Sequence, residues 1–148
     1  MSPVARVFWL VVLVAFAAGC HGDQQARADT VLAQLDRPFV LAGDQQAAVA
    51  GEPLRLRFSE LLEDSRCPTE VECFWTGQAR IIVTVNDGRA GEEAVEFNTN
   101  PAQGQNRQTV RTAVYELTLQ ALDPYPRTPD DVTPLSEYRA TLLVHRTR

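Results

Sequence analysis

Lysine is absent from this 148-residue chain: all 14 basic residues are arginine, against 19 acids and a formal charge of −5. That balance gives no support for nucleic-acid binding, which rests on clustered cations neutralising phosphates. Histidine and cysteine are scarce, two and three residues respectively. A structural zinc site needs four such ligands, usually Cys and His, and only Cys67, Cys73 and the distant His145 lie in the body of the chain. No apolar run reaches the roughly 20 residues that cross a bilayer as a helix. There is no internal repeat, no EF-hand-like spacing around Asp130-Asp131 that would favour calcium, and no persuasive helical period. No cofactor is implied by what remains.

The longest apolar stretch is VFWLVVLVAFAA, residues 7–18, preceded by a short basic segment and followed at once by polar HGDQQARAD. A basic start, about a dozen apolar residues and a small-residue exit are the parts of a secretory signal. Ala17-Ala18-Gly19-Cys20 resembles the lipobox of bacterial lipoproteins, with alanine where leucine is usual at the first position. The resemblance implies that Cys20 is acylated and becomes the new N-terminus, anchoring the chain to a membrane. An ordinary cleavage after Ala15-Phe16-Ala17 would instead leave Cys20 as a free thiol. Three cysteines in an exported chain is an odd count; lipid on Cys20 leaves two, free to pair in an oxidising envelope. His21, not Asp, follows the cysteine, so the inner-membrane retention cue of lipoproteins is missing. The expected location is extracytoplasmic, on the periplasmic side of the outer membrane where the source has two membranes.

On this reading residues 1–19 are a lipoprotein signal peptide and 20–36 a flexible tether, with a helical turn conceivable at 30–35. Residues 37–148 form the single domain that such a length can support. The mature chain, without Arg6, carries 13 arginines against 19 acids, a formal −6.

Within the domain the pattern is β. Phe39-Val40-Leu41 and Ala47 to Ala50 are short apolar runs. Leu54, Leu56 and Phe58 alternate with Arg55, Arg57 and Ser59, until Leu61-Leu62 interrupts the period as a bulge would. ARIIVTV, residues 79–85, suits a central strand, and Asn86-Asp87-Gly88 is a hairpin signal before Ala94 to Phe97. Residues 98–108 read as a polar loop. Residues 110–122 are β-like with a break near Thr112-Ala113, followed by the Pro-rich loop 123–134. Tyr138, Ala140, Leu142 and Val144 alternate in a last strand. The expectation is an all-β chain, one small antiparallel sandwich of immunoglobulin-like kind with about seven strands.

Cys67 and Cys73 have five residues between them, too many for a redox pair of the C-x-x-C type. A disulfide needs nothing further, and closing so short a loop removes roughly 2–2.5 kcal/mol of unfolded-state entropy on the chain-entropy model. Of Phe74 and Trp75, one is expected to face the core and one to face out, with Trp75 leaning on the disulfide or capping the core. Asp64 is expected to pair with Arg66 or to accept backbone N–H bonds that shape the turn. The run DSRCP–x–x–V–x–C–x–W–x–G–x–A, with LRLRF upstream and LDPYPR downstream, resembles a group of small exported bacterial proteins and lipoproteins over most of residues 38–146. The resemblance implies a genuine module and carries over no catalytic residue.

Two functional classes follow. A binding or structural module would use loop residues of types that dominate interfaces: Arg66, Phe74 and Trp75 on the cysteine loop, Tyr125 and Arg127 on the Pro-rich loop. Its partner would be the membrane, through the lipid, and another envelope protein; a wedge-like protease inhibitor is one version. An enzyme would most simply be a carboxylate hydrolase using two of Glu60, Glu63, Asp64, Glu70 and Glu72, with one raised pKa. The non-catalytic class is the expectation. Whether the two loops share one end depends on whether residues 109–122 make one strand or two.

Overall fold

The computed structural model describes residues 30–89, 91–101 and 108–147. Nine strands are present among them: β1 (Thr30–Ala33), β2 (Phe39–Ala42), β3 (Gln46–Val49), β4 (Arg55–Asp64), β5 (Ala79–Asn86), β6 (Glu92–Asn98), β7 (Thr109–Arg111), β8 (Tyr115–Asp123) and β9 (Arg139–Arg146). They form a five-stranded sheet, β1-β3-β4-β5-β6, packed on a four-stranded sheet, β2-β9-β8-β7. Every pairing is antiparallel except β1 with β3. The chain is a small all-β sandwich.

The alternation in the sequence is what builds it. Leu56 and Phe58 of β4, Ile81 and Val83 of β5, and Phe97 of β6 point inward and are fully buried. Leu117 of β8 with Ala140, Leu142 and Val144 of β9 meet them from the other sheet. Each large aliphatic or aromatic side chain so buried contributes about 1.5–3 kcal/mol. The register of β4 on β5 shifts between Phe58 and Glu60 and again between Leu61 and Glu63, so the break in period at Leu61-Leu62 is a pair of bulges. A bulge between Leu119 and Ala121 of β8 likewise lets Leu119 and Leu122 both face the core. Gly88, with φ +76°, closes the β5–β6 hairpin while Asn86 Oδ1 accepts its N–H at 2.9 Å.

Two expectations need correction. Thr30–Ala33 is no tether and no helical turn: it is an edge strand with Ala33 buried and Val31 against the core. The sandwich therefore includes Thr30–Ala33, and the proposed signal peptide, Cys20 and the rest of the tether lie outside the described residues. The strand count is nine among the described residues, not about seven, because the short β1 and β7 carry too little alternation to register. Each sheet has one pair of non-consecutive neighbours, β1 beside β3 and β2 beside β9, while β3 to β6 are a simple meander.

Candidate functional site

Residues 109–122 are two strands: Thr112 turns the chain between β7 and β8, its hydroxyl accepting the N–H of Tyr115 at 3.1 Å. β8 therefore runs toward the end of the sandwich where β4 delivers the cysteine loop. The two loops meet there, with the backbone N–H groups of Thr69 and Glu70 donating to the carbonyls of Pro126 and Arg127, both at 3.0 Å. The β4–β5 ladder also continues past the strand ends through Ser65 N–H to Gln78 O at 2.8 Å and Cys67 N–H to Thr76 O at 2.9 Å. Above it the Cys67–Cys73 disulfide closes the tip with a Cα–Cα distance of 5.8 Å, inside the usual range for such bonds. Gly77 makes the return possible. Its φ is +66°, and a Cβ there would stand 1.8 Å from the carbonyl oxygen of Ser65.

Arg66 holds the two loops together from beneath. Expected on the binding surface, it is only 3% exposed. Its Nε and Nη2 grip the two carboxylate oxygens of Asp64 at 2.8 and 2.7 Å. Nη1 donates to Leu122 O at 2.5 Å and Nη2 to Pro124 O at 2.6 Å, so the guanidinium reaches across to the start of the Pro-rich loop. The Tyr125 ring covers it at 4.1 Å, a cation–π contact. The Tyr138 hydroxyl completes the group by donating to Asp64 at 2.9 Å. Burial alone would pull the Arg66 pKa down, but the hydrogen bonds and charge of Asp64 outweigh it and hold it above the ordinary value. Burial, then the bond to the Asp64 carboxylate, pushes the Tyr138 hydroxyl up. A buried charge whose three guanidinium nitrogens are all hydrogen-bonded is a fastening, not a recognition group. The sequence reading of Asp64 as its partner agrees with this.

The other four residues do reach the surface at this end. Phe74 is 100% exposed and Trp75 77%, so neither caps the core. They touch each other instead, edge to face, with ring centroids 6.0 Å apart. Tyr125 is half exposed, one face occupied by Arg66. Arg127 is exposed, its Nε 3.6 Å from Asp131 Oδ2, which also accepts the Arg127 N–H at 2.8 Å. Two residues were missed: Val71 on the cysteine loop and Val132 on the Pro-rich loop also face solvent. The signal was there, since each is an isolated aliphatic in an otherwise polar loop.

Two of the five candidate acids are engaged by neighbouring side chains. Asp64 is occupied by Arg66 and Tyr138. Glu63 is held below the usual carboxylate range, chiefly by the Ser65 hydroxyl that donates to it at 2.7 Å, with Gln78 and Arg80 adding to the effect. Neither of two clefts formed by the described residues has two carboxylates in its lining. One, about 400 Å³, lies on the outer face of the larger sheet beside Arg55, Ser59, Thr84 and Glu92. The other, about 170 Å³, lies beside Gln108, Leu119, Asp123 and Tyr125. His145 pairs at the surface with Asp36, its Nδ1 2.5 Å from Oδ1. Among the described residues no group of three or more His, Cys, Asp or Glu could hold a metal ion, and no helix is long and apolar enough to cross a membrane.

The fold and site define a class: a disulfide-closed β-sandwich that presents an aromatic loop tip from one end. No family model, curated protein or solved structure matches the chain.

Proposed function

We propose that the chain is a cell-envelope lipoprotein, anchored through Cys20, whose sandwich is a non-catalytic binding module working through its loop end. The observation that carries this is the pairing of rigidity with exposure. The tip is fixed by a disulfide, by the buried Arg66–Asp64 pair and by two loop-to-loop backbone bonds, yet it displays Phe74 and Trp75 to water. Fixing such side chains in advance reduces the ordering cost of association. Large aromatics, with Tyr125 and Arg127 beside them, are the residue types that dominate interface energetics. A carboxylate hydrolase finds less support, because two of its candidate acids, Asp64 and Glu63, are engaged by Arg66, Tyr138 and Ser65.

Two measurements on the exported protein test the reading. Its mass is expected to include acyl chains that Cys20→Ser abolishes, releasing the protein into the soluble fraction. Crosslinking in intact envelopes is expected to capture material that a Phe74→Ala/Trp75→Ala double variant of unchanged melting temperature fails to capture. An unmodified Cys20 would defeat the anchor, and capture by the double variant at wild-type level would defeat the site.

A further inference from the structure

The β1 register says where the membrane would be. β1 runs parallel to β3 and antiparallel to β4, so its Thr30 end lies on the side from which the cysteine loop projects. Thr30 pairs with Gln46, Gln46 with Arg57, and Arg57 with Thr84. From that level to Asp64, paired with Ala79, is five residue steps along β5, about 17 Å. The ladder then continues to the Cys67–Thr76 bond, three steps and about 10 Å further. Ten residue steps separate Cys20 from Thr30, and at full stretch they span at most about 33–36 Å. Even fully extended, then, they carry the Cα of Cys20 less than about 10 Å beyond the Cys67–Thr76 rung.

We propose that the partner of the loop tip is the lipid surface itself, with Phe74 and Trp75 seated in the headgroup region of the bilayer that holds Cys20. This rests on the anchored-lipoprotein reading above and names the partner of its site. Tether length and direction bring the tip to the membrane; side-chain chemistry suits what it meets there. Tryptophan and phenylalanine are the residues that settle at the boundary between headgroups and acyl chains. Trp75, Phe74 and Val71 are apolar and exposed on the cysteine loop, with Val132 on its neighbour. Exposed Glu70, Glu72, Asp130 and Asp131 surround them, outnumbering Arg127, so the tip is matched to zwitterionic and not to anionic headgroups.

The test uses two properties of the sequence. Trp75 is the only tryptophan outside the leader, since the other is Trp9, and Cys20 is the only cysteine outside the disulfide. The mature chain, coupled through Cys20 to a maleimide lipid in phosphatidylcholine vesicles, is expected to shift its tryptophan emission to the blue. Brominated acyl chains should quench that emission, and Phe74→Ala should weaken seating of the tip by about tenfold. Replacing a third of the lipid with phosphatidylglycerol should reduce the quenching. Emission that stays water-like and unquenched on coupled vesicles overturns the proposal and indicates a tip that faces a protein. Because the coupling is chemical, that result is independent of whether cells acylate Cys20, which the mass of the exported protein decides separately.

Discussion

Removing the guanidinium of Arg66 would leave the Asp64 carboxylate, 8% exposed, with only the Tyr138 hydroxyl and a 3.3 Å backbone N–H as donors. An uncompensated buried charge is far more costly than a well-made pair is stabilising. Arg66→Ala is therefore expected to lower unfolding free energy by about 3–5 kcal/mol, read from urea denaturation followed by far-ultraviolet circular dichroism. Arg66→Lys should restore only part of it, because an ammonium cannot bridge both carboxylate oxygens and two carbonyls at once. A loss in Arg66→Ala of under about 1 kcal/mol would show the pair to be dispensable. From the sequence, this residue looked like a surface group for a physical reason. Arginine is seldom fully buried, and the carbonyls that receive it belong to Leu122 and Pro124, 56 and 58 positions away. Trp75 reaches the surface expected of a binding residue, but not the core that a tryptophan beside a disulfide also suggested, and nothing local announces that the loop turns it outward.

At the scale of elements, Gly77 and Gly51 make a matched pair. Both have positive φ, +66° and +77°, but a Cβ at Gly51 meets nothing within 4 Å while one at Gly77 collides with the Ser65 carbonyl. Gly51→Ala is expected to cost about 1–2 kcal/mol, the strain of a left-handed backbone alone. Gly77→Ala adds the collision and should exceed that cost, with loss of the ladder bonds at Ser65 and Cys67 visible by amide exchange. Equal costs would mean that the return of the cysteine loop does not depend on close approach. The strands themselves were legible where burial on one face is strict, as in Tyr138, Ala140, Leu142 and Val144 leading through β9, or Leu54, Leu56 and Phe58 into β4. β1 was not, because only Ala33 of its four residues is buried, Leu32 faces solvent, and its partner β3 pairs in parallel. A short edge strand holding one small core residue leaves almost no period to read.

For the molecule as a whole, the two sheets are joined at opposite ends by the same device. At the loop end Tyr138, just before β9, donates to Asp64 of β4, which Arg66 also grips. At the far end Tyr115, opening β8, donates to Glu52 at 2.7 Å, and Arg146 of β9 donates to the same oxygen at 2.7 Å. Neither clamp was legible in the sequence, since each joins residues more than sixty positions apart and involves groups with no pattern of their own. Burial first, and the carboxylate second, raises the pKa of both hydroxyls. A group whose folded pKa lies above its unfolded value stabilises the fold below the unfolded pKa and loses that contribution as pH rises through the folded one. Stability is therefore expected to hold up to about pH 10, the unperturbed tyrosine value, and to fall beyond it. The absence of lysine makes the alkaline window clean. No lysine ammonium is present to lose its charge in the same range. Urea midpoints measured from pH 8 to 12 should be flat and then decline in the wild type. Tyr115→Phe/Tyr138→Phe should be less stable at neutral pH by about 3–6 kcal/mol, two hydrogen bonds to charged acceptors, and should lose most of the alkaline decline. A double variant that declines as steeply as the wild type would place the alkaline weakness elsewhere than in the clamps that join the sheets.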